Sequence, residues 1–216
     1  MNSTDTPLAK ADLAALVAGD IETGSFVNLG IGQPTLVADH LTPEQHVTLH
    51  TENGMLGMGR AAVGDEIDPD LINAGKIPVV ENPGAAYFHH ADSFAMMRGG
   101  HLDVCVLGAF QVSVRGDLAN WSTGAPDAIP AVGGAMDLAI GARQTWVMMT
   151  LFGKDGTPKI VTDLTYPATG VTCVSRVYTP EAVFLVDPET GLSVRETHGP
   201  SIDELSERMG LELRPT

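Results

Sequence analysis

His46-Val47-Thr48-Leu49-His50-Thr51-Glu52-Asn53-Gly54-Met55-Leu56-Gly57-Met58-Gly59 is the stretch that decides how this chain is read. Val47 and Leu49 alternate with His46, Thr48 and His50, the period-two pattern of a half-buried strand. Gly54 then opens a glycine-rich loop that cannot continue a ladder, so Glu52 is expected at a strand end. In open α/β sheets ligands bind at the carboxyl ends of strands, and glycines there let backbone N–H groups and a bulky ligand come close to a side chain. A Glu in a loop is equally a solvated surface charge, so the rest of the chain has to separate the two readings.

Working outward, Ser25-Phe26-Val27-Asn28-Leu29 reads as a buried strand that runs into Gly30-Ile31-Gly32-Gln33-Pro34, with a helix from Thr35 to Leu41. This is not a good dinucleotide fingerprint, because Thr35 stands where the third glycine belongs and Pro34 opens the helix. A turn whose N–H groups line a pocket fits better. Val104 to Ala109 is near-continuously apolar, as central parallel strands covered on both faces are. Thr145 to Met149 is a second buried strand, and shorter ones are expected at Thr172–Val177, Ala182–Val186 and Leu192–Arg195.

Helix signals fall between the strands. Thr6-Pro7 predicts an N-cap and first helical position ahead of Leu8, Leu13, Leu16 and Val17. Asp92-Ser93 predicts a cap for a helix through Met97 that Gly99-Gly100 stops, and Ser201-Ile202-Asp203-Glu204 is a capping box. Gly133-Gly134 opens a helical run from Ala135 to Ile140 whose first N–H groups are free to meet an anion. The whole predicts one α/β domain over residues 1–216, with a mostly parallel sheet flanked by helices.

Composition narrows the function. With 216 residues, 44% of them hydrophobic, the chain can bury a core without disulfides or metal. No apolar run reaches the ~18 residues of a membrane span, and Met1 to Thr6 lacks the basic start and apolar core of a signal peptide, so a cytoplasmic location is expected. A net charge of −15 argues against nucleic acid and anionic membranes as partners. Only 12 Lys and Arg are present, so an anionic ligand must be held by backbone N–H groups, by a few local cations or by another chain. Cys105 and Cys173 sit in apolar runs as small hydrophobes, and His89-His90 point to opposite faces of an extended chain. His101 and Asp103 share a face, where a structural hydrogen bond is the simpler expectation, so neither a metal site nor a permanently bound cofactor is expected.

The chain has no Gly-x-Ser-x-Gly elbow, Cys–His couple or Walker loop. What remains is one carboxylate, which is ionised near neutral pH and can attack an activated acyl group without a general base. Helix-terminal N–H groups facing it supply donors for the tetrahedral oxyanion.

Taken together, Asn28-Leu29-Gly30-Ile31-Gly32, Thr51-Glu52-Asn53-Gly54, Gly116-Asp117-Leu118-Ala119-Asn120-Trp121 and Gly133-Gly134-Ala135-Met136-Asp137-Leu138 resemble the β subunit of the 3-oxoacid coenzyme A-transferases, over residues 8–213. Thr51 replaces the family's usual Ser, and Arg60 stands where Pro is common. The resemblance implies the CoA-transferase (NagB/RpiA-like) α/β fold, with a coenzyme A thioester as substrate. It implies that Glu52 attacks an acyl-CoA to give a mixed anhydride and then a glutamyl-CoA thioester, and that the acceptor carboxylate reverses the steps. By the same resemblance Gly133 or Gly134 supplies an oxyanion donor, with Asn53 and Gly54 as further substrate contacts and Gly30 and Gly32 as candidate CoA contacts. An α subunit, in an α2β2 assembly, completes the site. The segment Gly124 to Val132 is similar to that of 3-oxoadipate members, whereas acetoacetate members carry a Lys-Gly-Met-type segment, so succinyl-CoA:3-oxoadipate transfer is expected over transfer to acetoacetate. Arg98 or Arg115 is the candidate partner for the far carboxylate. The rival readings are a sugar-phosphate isomerase or deaminase of similar fold, and a non-catalytic subunit.

Overall fold

A near-continuous apolar run becomes a central strand when both of its faces must be covered, and here Val104–Leu107 lies in the middle of five parallel strands. The computed structural model describes residues 6–125, 129 and 132–216. In chain order the elements are α1 (Lys10–Asp20), β1 (Phe26–Leu29), β2 (Thr48–Thr51), β3 (Met55–Ala61), β4 (Val79–Tyr87), α2 (His90–Arg98), β5 (Val104–Leu107), β6 (Gln111–Ser113) and β7 (Leu118–Ala119). They continue with α3 (Ala135–Gly141), β8 (Gln144–Met148), β9 (Ile160–Val161), β10 (Val174–Tyr178), β11 (Ala182–Asp187), β12 (Gly191–Thr197), α4 (Ile202–Met209) and β13 (Arg214–Pro215).

The main sheet has ten strands in the order β13-β12-β11-β10-β8-β5-β1-β2-β3-β4, and β7-β6-β9 form a second, small sheet. From β10 to β2 every neighbour is parallel. Antiparallel additions extend both sides, β3 and β4 beyond β2, and β11 and β12 beyond β10. The carboxyl ends of β1, β2, β5 and β8 therefore lie along one edge, which brings Gly30, Glu52, Gly108 and Met149 to a common rim.

Two apolar layers cover the sheet. On one face Leu13, Ala14, Val17 and Ala18 of α1 pack with Val27, Leu49, Val106 and Met148. On the other, Met97 of α2, Leu138 of α3 and Leu205 and Met209 of α4 pack with Cys105, Val147 and Phe184, and Val112, Leu118 and Ile160 bring the small sheet into the same cluster. Among the described residues no helix is long and apolar enough to cross a membrane.

The structure corrects four local expectations. Helix α1 starts at Lys10 with Ala9 as its cap, not at Thr6-Pro7, because the lead-in docks as extended chain with Leu8 N–H donating to Pro180 O at 2.8 Å. Residues Gln33–His40 form 3₁₀ turns rather than an α-helix, with Pro34 at their start and Pro34 and Val37 buried. Helix α2 is capped by His89, whose Nδ1 accepts from Ala91 N–H at 3.1 Å, and Asp92 and Ser93 lie inside it. The expected loop after Glu52 is strand β3, paired with β2 through His50–Leu56 and Thr51–Met55. Its glycines serve close packing, since a Cβ on Gly57 would lie 3.0 Å from Ala85 Cα on the neighbouring strand. That neighbour, β4, is the edge strand of the main sheet and contains Pro83, which an edge strand tolerates.

The capping box at α4 is present as read, with Ser201 N–H donating to Glu204 Oε2 at 2.7 Å and Glu204 N–H donating to Ser201 Oγ at 3.3 Å. Ser201→Ala is expected to lower the unfolding free energy by about 1 kcal/mol and Ser201→Asp to retain most of it, as read by chemical denaturation.

Candidate active site

Glu52 follows the last residue of β2 in a three-residue turn into β3, half-buried at the carboxyl rim of the sheet. Gly54 makes that turn possible. Its φ is +110°, and a Cβ there would lie 2.3 Å from Phe88 O, so any side chain would displace the start of β3 or the end of β4. Its N–H donates to Thr51 O at 3.1 Å and its O accepts from Phe88 N–H at 3.0 Å, so its backbone groups serve the turn and not a substrate. Thr51 Oγ1 accepts from Met55 N–H at 3.2 Å, which closes the same turn and shows what the hydroxyl at this position does. Asn53 Nδ2 donates to Ile72 O at 2.8 Å and ties the turn to the connection before β4.

Beneath Glu52 lies a buried polar chain. Asn28 on β1 donates from Nδ2 to His50 Nδ1 and to His50 O, both at 3.1 Å. His50 Nε2 lies 2.9 Å from Ser93 Oγ of α2, and Ser93 Oγ donates to Thr51 O at 3.0 Å. One proton arrangement satisfies every link: with Nδ1 accepting, the ring carries its hydrogen on Nε2 and donates it to Ser93, leaving the Ser93 hydroxyl hydrogen for Thr51 O. The ring is therefore neutral. Burial pushes the His50 pKa down to about 4, against a smaller upward pull from its bond to Ser93. The chain ends at the peptide carbonyl that precedes Glu52, so β1, β2 and α2 are locked together where the carboxylate leaves the sheet. Asn28 Oδ1 is buried with no donor among the described residues.

Across from Glu52 stands the start of α3. A Cβ on Gly134 would lie 3.1 Å from Glu52 Cγ, 3.5 Å from Glu52 Oε1 and 3.5 Å from Phe94 Cζ, so a side chain here would crowd that of Glu52. Gly133 has φ +49°, and among the described residues neither its N–H nor that of Gly134 has an acceptor. Gly30 is buried, with its N–H donating to Val106 O at 2.8 Å, and Gly32 is exposed at φ +95°.

The coenzyme A transferase family profile matches residues 10–204. The chain belongs to the coenzyme A transferase family. It is 58% identical over 207 residues to the β subunit of the 3-oxoadipate CoA-transferase of Pseudomonas putida, covering 95% of this chain and 96% of that one. The corresponding β subunit of the Acinetobacter baylyi 3-oxoadipate CoA-transferase is 54% identical, over 95% of each chain. The human mitochondrial succinyl-CoA:3-ketoacid coenzyme A transferase 2 is 43% identical, matching 94% of this chain and 39% of the human one. Among solved structures, the acyl-CoA transferase YdiF of Escherichia coli O157:H7 shares the fold at a TM-score of 0.73 and 20% identity, covering all of this chain and 43% of that one. The glutaconate coenzyme A-transferase of Acidaminococcus fermentans shares it at a TM-score of 0.65 and 16% identity, over 97% of this chain and 87% of that one.

In this CoA-transferase chain, other residues singled out in the sequence meet partners within the chain. Arg98 pairs with Asp137 at 2.6 Å and Arg115 with Asp163 at 3.0 Å, so both candidate carboxylate partners already have one. Arg60, near the end of β3, forks onto Glu66 at 2.7 and 2.9 Å. Asp103 accepts from Phe26 N–H and from Arg143, both at 2.8 Å, at the opposite edge of the sheet. A cavity of about 400 Å³ opens at that edge, but its arginines, Arg143 and Arg176, are matched by Asp103 and Asp20. Burial pushes the Cys105 thiol up to about 12 and the Cys173 thiol up to about 11, which leaves neither as a nucleophile. The segment Gly124 to Val132 lies partly outside the described residues, at 126–128 and 130–131. Sequence reasoning missed His50 and Ser93, because alternation placed His50 on a face taken as polar that α2 in fact buries.

The His50 pKa of about 4 lies below its ordinary value of 6.5, so the unfolded chain binds the extra proton between those limits. The contribution is fully present above pH 6.5 and is lost as pH falls towards 4, a loss of about 3 kcal/mol. Unfolding free energies measured across this range are expected to fall more steeply for the wild type than for His50→Gln. Equal slopes would contradict the assignment.

Proposed function

We propose that this chain is the β subunit of a succinyl-CoA:3-oxoadipate CoA-transferase and that Glu52 carries the coenzyme A. What most directly supports this is the Gly134 backbone held against Glu52 Cγ, at a spacing that a single added methyl would crowd. Glu52 attacks the thioester carbonyl, and the oxyanion that forms is met by the N–H of Gly133 or Gly134. Collapse expels CoA thiolate and leaves a mixed anhydride. The thiolate then attacks the glutamyl carbonyl, releasing the donor carboxylate and leaving a glutamyl-CoA thioester. The 3-oxoacid carboxylate repeats these steps in the opposite direction. Gly30 and Gly32, on the same rim as Glu52, are the CoA contacts of this reading, and Asn53 supports the substrate indirectly through the turn. No metal or resident cofactor takes part.

The choice of 3-oxoadipate rests on the two bacterial β subunits that this chain matches end to end. That those relatives are named as one subunit of their enzymes also supports an α partner, in an α2β2 assembly in the cytoplasm, with residues 1–216 acting as one domain. Exposed Val63, Ile67, Ile77 and Tyr87, along and beside the connection between β3 and β4, are apolar surface that such a partner can cover.

Reconstituted with its α subunit, the Glu52→Ala enzyme is expected to lose more than about 10³-fold in kcat while melting as the wild type does. Gly134→Ala is expected to lower kcat by about 10- to 100-fold with little change in stability, because it displaces the carboxylate by a fraction of an ångström to an ångström. Steady-state transfer from succinyl-CoA to 3-oxoadipate reads both. Transfer at the wild-type rate by Glu52→Ala would refute the mechanism.

A further inference from the structure

The carboxyl rim of the sheet carries a second feature, two strands along from Glu52. A shallow cavity of about 210 Å³ opens at the ends of β1, β5 and β8. Ile31, Pro34, Met148 and Met149 form its apolar wall, Gln33 and Thr150 add polar side chains, and Lys159 is the charged side chain in its lining. The lysine is fixed by its backbone: its N–H donates to Leu151 O and its O accepts from Val112 N–H, both at 2.9 Å. That joins it to the small sheet next to β9.

The ion pairs among the described residues all use arginines, and none uses Lys159. In a chain of net charge −15, a half-buried ammonium without a carboxylate is an unmatched charge that an anion would stabilise. Burial holds its pKa below the ordinary lysine value, and an arriving carboxylate offsets that desolvation.

Size and distance select the anion. The cavity sits over β5, two strand spacings from β2, or about 10 Å from the Glu52 turn. A short acyl chain held at Glu52 reaches that far, whereas the phosphates of coenzyme A lie beyond the whole pantetheine arm. The cavity is also smaller than the ~300–1,000 Å³ typical of sites for drug-sized ligands. Apolar walls with one cation at the end complement methylenes that finish in a carboxylate.

We infer that Lys159 binds the distal carboxylate of the dicarboxylic 3-oxoacid whose other carboxyl group reacts at Glu52, and thereby sets preference for dicarboxylic over monocarboxylic acceptors. The inference rests on the transferase reading above and adds the residue that recognises the far end of the substrate.

The test uses the enzyme reconstituted with its α subunit, with Lys159→Met and Lys159→Arg beside the wild type. Lys159→Met is expected to lose about 10- to 100-fold in kcat/KM for 3-oxoadipate, the range of one charge-assisted hydrogen bond, while kcat/KM for acetoacetate stays within about threefold. Lys159→Arg is expected to recover part of the loss. Calorimetric binding of adipate and hexanoate reads the same contact without turnover: the wild type is expected to favour adipate by about tenfold or more, and Lys159→Met to bind the two alike. Unchanged 3-oxoadipate kinetics, or an equal loss on both acceptors, would overturn the assignment. A wild type that transfers coenzyme A to neither acid while still favouring adipate would instead sink the transferase reading and leave the lysine site standing.

Discussion

The site depends on a neutral imidazole kept out of water between three elements. His50 touches Asn28 on β1 and Ser93 on α2, and through Ser93 it holds the carbonyl of Thr51, the residue before Glu52. Each member has one role in the proton order, so rotating any of them leaves a buried donor or acceptor unmatched, at about 1–3 kcal/mol per unmatched group. A carboxylate that has to meet a carbonyl carbon at bonding distance needs a fixed root. In the transferase reading, this chain of hydrogen bonds supplies one without placing a charge beside the carboxylate of Glu52.

Glycine performs a complementary task on the other side. Gly54 allows the turn that lifts Glu52 off the end of β2, and Gly134 allows the start of α3 to lie against its side chain. Helix α3 is short, so in the transferase reading an oxyanion would be met by local N–H groups more than by an accumulated dipole. The electrostatics of the chain agree. Six arginines are matched with carboxylates along its surface and its opposite edge, while Lys159 lines the rim cavity outside any ion pair among the described residues.

Much of this was legible in the sequence, for reasons that can be stated. Val104 to Leu107 and the runs around Val27 and Val147 read as central strands because burial on both faces removes polar alternation, and they are the middle of the parallel sheet. Glu52 at a strand end followed from Gly54. What was not legible depended on tertiary neighbours. The glycines after Glu52 looked like loop and are strand β3, because their lack of side chains serves approach by Ala85 and Val80 and not chain reversal. Alternation put His50 on a face read as polar, and could not show that Ser93, far along the chain, would bury it. Lys159 follows a Gly-Thr-Pro turn that reads as ordinary surface, and only the folding of β9 back to β6 brings it to the rim.

In the transferase reading Glu52 is the carrier, linked to coenzyme A for part of every turnover. Mixing the reconstituted enzyme with succinyl-CoA in the absence of acceptor, quenching, and mapping peptides by mass spectrometry looks for that link directly. A coenzyme A adduct is expected on the peptide that contains Glu52, discharged when 3-oxoadipate is added before the quench. An enzyme that transfers coenzyme A at full rate with that peptide never modified would contradict the covalent role of Glu52.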